Sequence, residues 1–138
     1  MKILVAVDGS KPSLKVVQLL VEHCDWYRER PEVELVTVHL PVPKVASVPK
    51  SQLDKYYAEE GEAMLAAAKK KLDAAGVPYR ARVLVGPIAE SLVKHAKGER
   101  CDLIYIGTRG LSGVGAAILG STAMKVLHIS ETPVLLVK

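Results

Sequence analysis

Leu103-Ile104-Tyr105-Ile106-Gly107-Thr108-Arg109-Gly110 is an apolar run that breaks into glycines, and nine residues later Gly120-Ser121 opens a helical pattern. A strand that ends in glycines and leads toward a helix lets backbone N–H groups approach an anion closely, as phosphate-binding strand-to-helix turns do. Glycine content alone describes a flexible surface loop with a Gly-Ser helix cap equally well. Position favours the anion turn, because the glycines begin at the carboxyl end of a strand.

Working outward, Ile3 to Val7 is a continuous apolar, β-branched run bounded by Asp8-Gly9-Ser10, which suits a strand buried on both faces. Ser10 can accept a backbone N–H at the next helix start, Pro12 is tolerated in a first turn, and Leu14, Val17, Val21 and Cys24 follow at helical spacing. Val33 to Leu40 reads as a second strand, and Pro41, Pro43 and Pro49 then mark a long loop. Gln52 to Ala75 favours helix, with Leu65, Ala68 and Leu72 on one face and Gly76 as its cap. Arg80 to Val85 is a third strand closed by Gly86-Pro87, and Ile88, Leu92, Val93 and Ala96 mark a short helix that Gly98 can terminate. Leu103 to Ile106 and Val134 to Val137 are the fourth and fifth strands, separated by the glycine segment and a helix through Ser121 to His128. This alternation implies parallel β-α-β units, right-handed crossovers and helices on both faces of one sheet. Ligands of such open sheets bind beyond the carboxyl ends of the strands, so Asp8, Leu40, Gly86 and Gly107 are expected to border one crevice.

The 138 residues, 49% of them hydrophobic, suit one domain with a single core, taken as 1–138. The net charge of +4 comes from dispersed Lys and Arg; Lys69-Lys70-Lys71 lies inside a helical pattern and reads as a solvated face. Phe is absent and aromatics make up 4%, which argues against stacking platforms and against nucleic acid as a partner. Cys24 and Cys101 lack C-x-x-C or zinc spacing and read as buried thiols. No apolar run approaches the roughly 18 residues of a membrane span, and Met1 to Asp8 lacks a cleavage pattern, so a soluble, cytoplasmic protein without membrane contact is expected.

Both standard nucleotide signatures fail: no Gly-Lys-Ser/Thr is present, and Ile118 stands where Gly113-Val114-Gly115 would need a third glycine. What remains is Gly107 and Gly110 flanking a turn, a Ser121 hydroxyl with free N–H groups at a helix start, and Arg109 as a charged contact. Asp8 can hydrogen-bond a ribose hydroxyl, hold a divalent cation through water, or serve as a plain turn residue.

Val5-Ala6-Val7-Asp8-Gly9-Ser10, Thr37-Val38-His39-Leu40, Val85-Gly86, Ile104 to Gly110, Leu119-Gly120-Ser121 and Thr132 to Val137 together resemble the universal stress protein family, in order and over essentially the whole chain. The most specific element is G-x-x-G, nine residues, G-S, which in that family separates ATP-binding members from the others. The resemblance implies an α/β, Rossmann-like fold of the adenine nucleotide alpha hydrolase type: an open five-stranded parallel sheet in the order 3-2-1-4-5, with helices on both faces. It also implies that Ala6, Val7 and Asp8 face ribose and phosphates, that the backbone around Leu40 holds adenine, and that Gly86 lies beside the base. Ile106, Gly107, Thr108, Arg109, Gly110, Gly120, Ser121 and Thr122 would surround ribose and phosphates. ATP or another adenine nucleotide is the implied cofactor, with Mg held through phosphates and Asp8 reaching it through water. A homodimer through the terminal strand Val134 to Val137 is implied as well, and an apolar edge strand needs such a partner.

Hydrolysis would require a group that orients water and a group that offsets transition-state charge. Arg109 with Mg can do the second; no residue is assigned as catalytic. His39 lies near the crevice but reads as a structural hydrogen-bonder, and a Ser121, His39 and Asp8 triad lacks a nucleophile-elbow context. The leading expectation is a nucleotide-dependent regulatory module acting on a protein partner. The alternatives are a slow ATPase at the same site and a dimeric interaction protein independent of nucleotide. Ser112, Ser121 and Thr122 are open to phosphorylation.

Overall fold

The computed structural model describes residues 1–43, 47–109 and 119–138. The elements run β1 (Lys2–Ala6), α1 (Lys11–His23), a 3₁₀ turn (Cys24–Trp26), β2 (Glu32–His39), α2 (Lys50–Ala74), β3 (Tyr79–Val85), α3 (Ile88–Gly98), β4 (Leu103–Gly107), α4 (Ser121–Ile129) and β5 (Val134–Val137). All pairings are parallel, and the sheet order is β3-β2-β1-β4-β5. Chain order therefore reverses at β1, which pairs Ile3 with Val33 on one side and with Leu103 on the other.

Strand position explains sequence character. Central β1 has Ile3, Leu4 and Val5 fully buried, because helices cover both faces. Edge strand β3 alternates between exposed and half-buried residues, with Arg80 and Arg82 outward. Successive side chains enter opposite cores. Ile3, Val5, Leu35 and Tyr105 meet Val16, Leu20, Leu65 and Leu72 of α1 and α2. On the other face, Leu4, Val36 and Ile104 meet Leu92, Ala96 and Val126 of α3 and α4. Cys24 belongs to the first core and Cys101 to the second, so the sheet separates two buried free thiols.

The α1 start follows its sequence: Ser10 Oγ accepts the Ser13 N–H at 3.2 Å, and Pro12 sits in the first turn. Helix α2 buries Gly61, Leu65, Ala68 and Leu72, one stripe at helical spacing. Gly61 permits the contact with β3, since a Cβ there would stand 2.3 Å from Val83 Cγ1. Lys70 and Lys71 are exposed, and Lys69 reaches both Glu62 oxygens at 2.8 and 2.7 Å, so this run is a solvated helix face.

Gly76 ends α2 in the left-handed region (φ 64°), with Val77 N–H on the Leu72 carbonyl. The end of α3 departs from expectation. Gly98 is its last helical residue, and Arg100 takes the left-handed conformation (φ 56°). The cause is where Cys101 must go: its N–H bonds the Ala96 carbonyl at 2.8 Å while its side chain enters the second core, which puts the reversal at residue 100. No helix among the described residues is long and apolar enough to cross a membrane.

Candidate functional site

A cavity of about 730 Å³ opens at the carboxyl edge of the sheet, within the range of small-molecule sites. It lies where β1, β2 and β4 end, at the reversal of strand order. From β1 and its loop come Ala6, Val7, Asp8 and Gly9; from β2, Val38, His39 and Leu40; from β4, Ile106, Gly107, Thr108 and Arg109. Helix α4 contributes its N-cap Gly120 and its entire first turn, Ser121, Thr122 and Ala123. Asp8 and Gly120, 112 positions apart in sequence, thus share one wall-lined space.

Gly120 docks α4 against the end of β4. Its N–H donates to the Thr108 carbonyl at 2.8 Å, while Thr108 N–H donates to Val137 O at 2.9 Å. A Cβ on Gly120 would stand 3.1 Å from the Thr108 carbonyl oxygen, so a larger residue must push this turn apart or project into the cavity. The helix starts at the cavity differ. At α1, Ser10 Oγ caps the Ser13 N–H and Asp8 Oδ1 accepts the Ser10 N–H at 2.9 Å. At α4 the N-cap residue offers no side chain to the first turn, because it is Gly120. Helix α3 presents only apolar Ile88 and Leu92 to the cavity. First-turn amides that the N-cap residue leaves uncapped, together with the helix dipole, give the α4 start the chemistry to accept an anion.

Asp8 takes the turn role read from sequence, closing a turn through Oδ1, and it also borders the crevice as expected. Its own N–H donates to Ser13 Oγ at 3.3 Å, and Ser13 Oγ donates to the Ser10 carbonyl at 2.9 Å, so the carboxylate sits on a cross-bonded loop. Among the described residues, no group of three or more His, Cys, Asp or Glu converges as a metal site. His39 Nδ1 is engaged with the Leu40 carbonyl at 2.6 Å, the structural bond expected of it. No hydrogen bond among the described residues joins Ser121, His39 and Asp8.

Gly86 stands outside the cavity lining; its N–H instead bonds the His39 carbonyl at 3.0 Å, steadying the ends of β2 and β3. Gly110 lies outside the described residues, as do Ser112, Gly113, Val114, Gly115 and Ile118. The remaining expected residues, from Ala6 through Thr122, all line the cavity. Sequence reading missed Glu60, Ala63 and Met64 of α2 and Ile88 and Leu92 of α3. The periodicity of α2 does reveal a buried Gly61-Leu65-Ala68-Leu72 stripe, and Met64 and Glu60 flank it. Which turn of the helix reaches the sheet edge is set by packing, such as Met64 Cα only 3.2 Å from where a Gly9 Cβ would be.

A model of the universal stress protein family matches residues 1–138. The universal stress protein YxiE of Bacillus subtilis is 32% identical over 149 residues, spanning 99% of this chain and 98% of its own. The solved structure of MJ0577 from Methanocaldococcus jannaschii superposes with a TM-score of 0.83 at 27% identity, covering 99% of this chain and 94% of that one. A universal stress protein solved in complex with cAMP matches with a TM-score of 0.69 at 27% identity, covering 99% of this chain and 95% of that one. Sheet order, the position of the glycine turn and these matches over the full chain agree: the chain belongs to the universal stress protein family.

Proposed function

We propose that this protein binds ATP, or another adenine nucleotide, at the carboxyl edge of its sheet and acts as a nucleotide-dependent regulatory module of the stress response. The observation that carries the reading is the uncapped first turn of α4 opening into a cavity of about 730 Å³. In this reading the phosphates rest against Gly107, Thr108, Arg109 and Gly110 and against the amides of Gly120, Ser121 and Thr122. Asp8, with Ala6 and Val7 behind it, takes the ribose side, and the Leu40 main chain with Gly86 nearby takes the base. Val38, Ile106, Ile88, Leu92 and Met64 supply apolar walls for the ring. The cAMP complex of a family member supports the adenine class of ligand.

Magnesium, in this reading, is held by the phosphates, with Asp8 reaching it through water, since no cluster of protein ligands converges there among the described residues. The metal would neutralise phosphate charge. Among the described residues strand β5 pairs only with β4, and it keeps Val134, Leu135 and Leu136 half-exposed, which supports a homodimer through that edge. A cytoplasmic setting is part of the proposal. A slow ATPase at the same site has less support: His39, the imidazole that lines the cavity, is committed to the Leu40 carbonyl.

Calorimetric titration of ATP into wild type and Gly120→Val tests the reading. The φ of −60° and ψ of 150° at Gly120 are open to an L-residue, so the side chain contests the phosphate turn, and a thermal melt of the variant checks that the fold absorbs the 3.1 Å approach to the Thr108 carbonyl. Saturable binding by wild type, weakened at least about a hundredfold in the variant, is expected from losing several amide contacts. Equal affinity in both proteins overturns it.

A further inference from the structure

We propose that His39 is a positioning residue that selects an amino-substituted base, acting through the Leu40 carbonyl, and that Tyr56 and Tyr57 of α2 hold it in place. The inference rests on the nucleotide reading and deepens it. The β2–β3 register ends at the pair His39↔Val85, so Leu40 projects past the sheet and is 58% exposed. The Gly86 N–H holds the His39 carbonyl, but among the described residues no backbone N–H bonds the Leu40 carbonyl. The imidazole does: Nδ1 lies 2.6 Å from the Leu40 carbonyl oxygen. Because a carbonyl oxygen only accepts, Nδ1 carries the proton and donates.

The ring is itself held from two sides. Its centroid lies 5.6 Å from Tyr56 at 74° and 5.2 Å from Tyr57 at 65°, both edge-to-face. Tyr57 Oη also accepts the Val42 N–H at 2.9 Å. The short strap from Leu40 to Val42 is therefore tied to α2 at both ends, through His39 at one and Tyr57 at the other, and His39 and Leu40 both line the cavity.

A carbonyl oxygen has two lone pairs, and the imidazole uses one. The second remains for a donor. The exocyclic amino group of adenine is such a donor, whereas the 6-oxo group of guanine is an acceptor and would meet the carbonyl dipole head-on. Pro41 follows Leu40, so the peptide that carries this carbonyl has no N–H to offer in its place; without the imidazole the carbonyl is free to turn away from the ligand, and the distinction between amino and oxo bases weakens.

The test compares ATP, GTP and inorganic triphosphate by calorimetry in wild type, His39→Ala, His39→Asn and Tyr57→Phe, with thermal melts of each protein as the control for folding. The Asn amide nitrogen stands near the place of Nδ1 and can donate to the same carbonyl. The ATP-over-GTP preference is expected to fall at least about tenfold in His39→Ala and to persist in His39→Asn, with triphosphate affinity within about twofold throughout. Tyr57→Phe is expected to fall between them. If His39→Ala does not fold, His39→Gln, whose amide reaches the Nε2 place instead, stands in for it. Retention of the preference in His39→Ala, equal loss in His39→Asn, or parallel loss of triphosphate binding overturns the proposal. Absence of saturable binding of all three probes by wild type overturns the nucleotide reading itself.

Discussion

Replacing Gly61 with Ala sets two effects of opposite sign against each other. Gly61 lies in the middle of the 25-residue helix α2, where alanine is worth about 1 kcal/mol of helix propensity over glycine. Helix propensity alone therefore predicts a more stable protein. The packing predicts the reverse: a Cβ at position 61 would stand 2.3 and 2.4 Å from Cγ1 and Cγ2 of Val83 and 2.9 Å from its Cβ. Ordinary contacts begin near 3.4 Å, so helix and strand must separate by about 1 Å, and Val83 cannot yield by rotation because β-branched side chains are stiff at χ1. Overpacking of this kind costs about 1–3 kcal/mol, and three contacts against a stiff side chain place this case toward the upper end. The expected net result is a loss of about 1–2 kcal/mol, or roughly 3–8 °C in Tm for a chain of this size. Urea denaturation of wild type, Gly61→Ala, Val83→Ala and the double variant measures it. The double variant should be more stable than the sum of the single effects, since Val83→Ala removes the two nearest atoms. A Gly61→Ala protein as stable as wild type, or more so, refutes the reasoning. Separation of α2 also moves Glu60 and Met64 of the cavity wall, so ligand affinity should fall in the same variant.

Arg100→Gly should stabilise the protein by about 0.5–1 kcal/mol, because the left-handed conformation at φ 56° is costly for Arg and free for Gly; a lower urea midpoint in the variant contradicts this. Burial, reinforced by the nearby Glu34 carboxylate, pushes the Cys101 thiol from 9.0 up to about 11, so its thiolate fraction at pH 8 should be about a hundredfold below that of an unfolded chain and its alkylation correspondingly slow. The raised value means the folded state holds this proton more tightly, so its stabilising contribution is complete below pH 9.0 and is lost as pH rises through about 11. Urea midpoints should fall more steeply over that window in wild type than in Cys101→Ala; identical slopes rule the effect out.

Several ion pairs lie outside the cavity lining and do not shape the site. Lys125 pairs with Glu90 across α4 and α3 and holds the Glu90 carboxyl below its usual range, while Lys97 pairs with Glu131 at 3.1 Å. These are exposed contacts of small individual worth. What shapes the site is the contrast between helix starts. Asp8 and Ser10 spend their side chains closing the α1 start, whereas glycine at the α4 cap has no side chain with which to close that start.

Local chemistry was enough to place most of the architecture. The uninterrupted apolar, β-branched run Ile3 to Val7 suited a strand covered on both faces, and Ser10, Pro12 and Gly76 marked helix limits through capping and backbone geometry that depend on neighbours in sequence. The glycines at 107 and 120 flagged the site because they sit where a strand ends and a helix begins. Contacts between residues distant in sequence were not legible in that way. The left-handed reversal after α3 fell at Arg100 rather than at Gly98 because Cys101 had to reach the second core, and Glu60, Ala63 and Met64 joined the cavity because Gly61 let α2 settle onto Val83. Periodicity reports which face of a helix is apolar; the depth and register at which that face meets its sheet arise only when both surfaces are packed together.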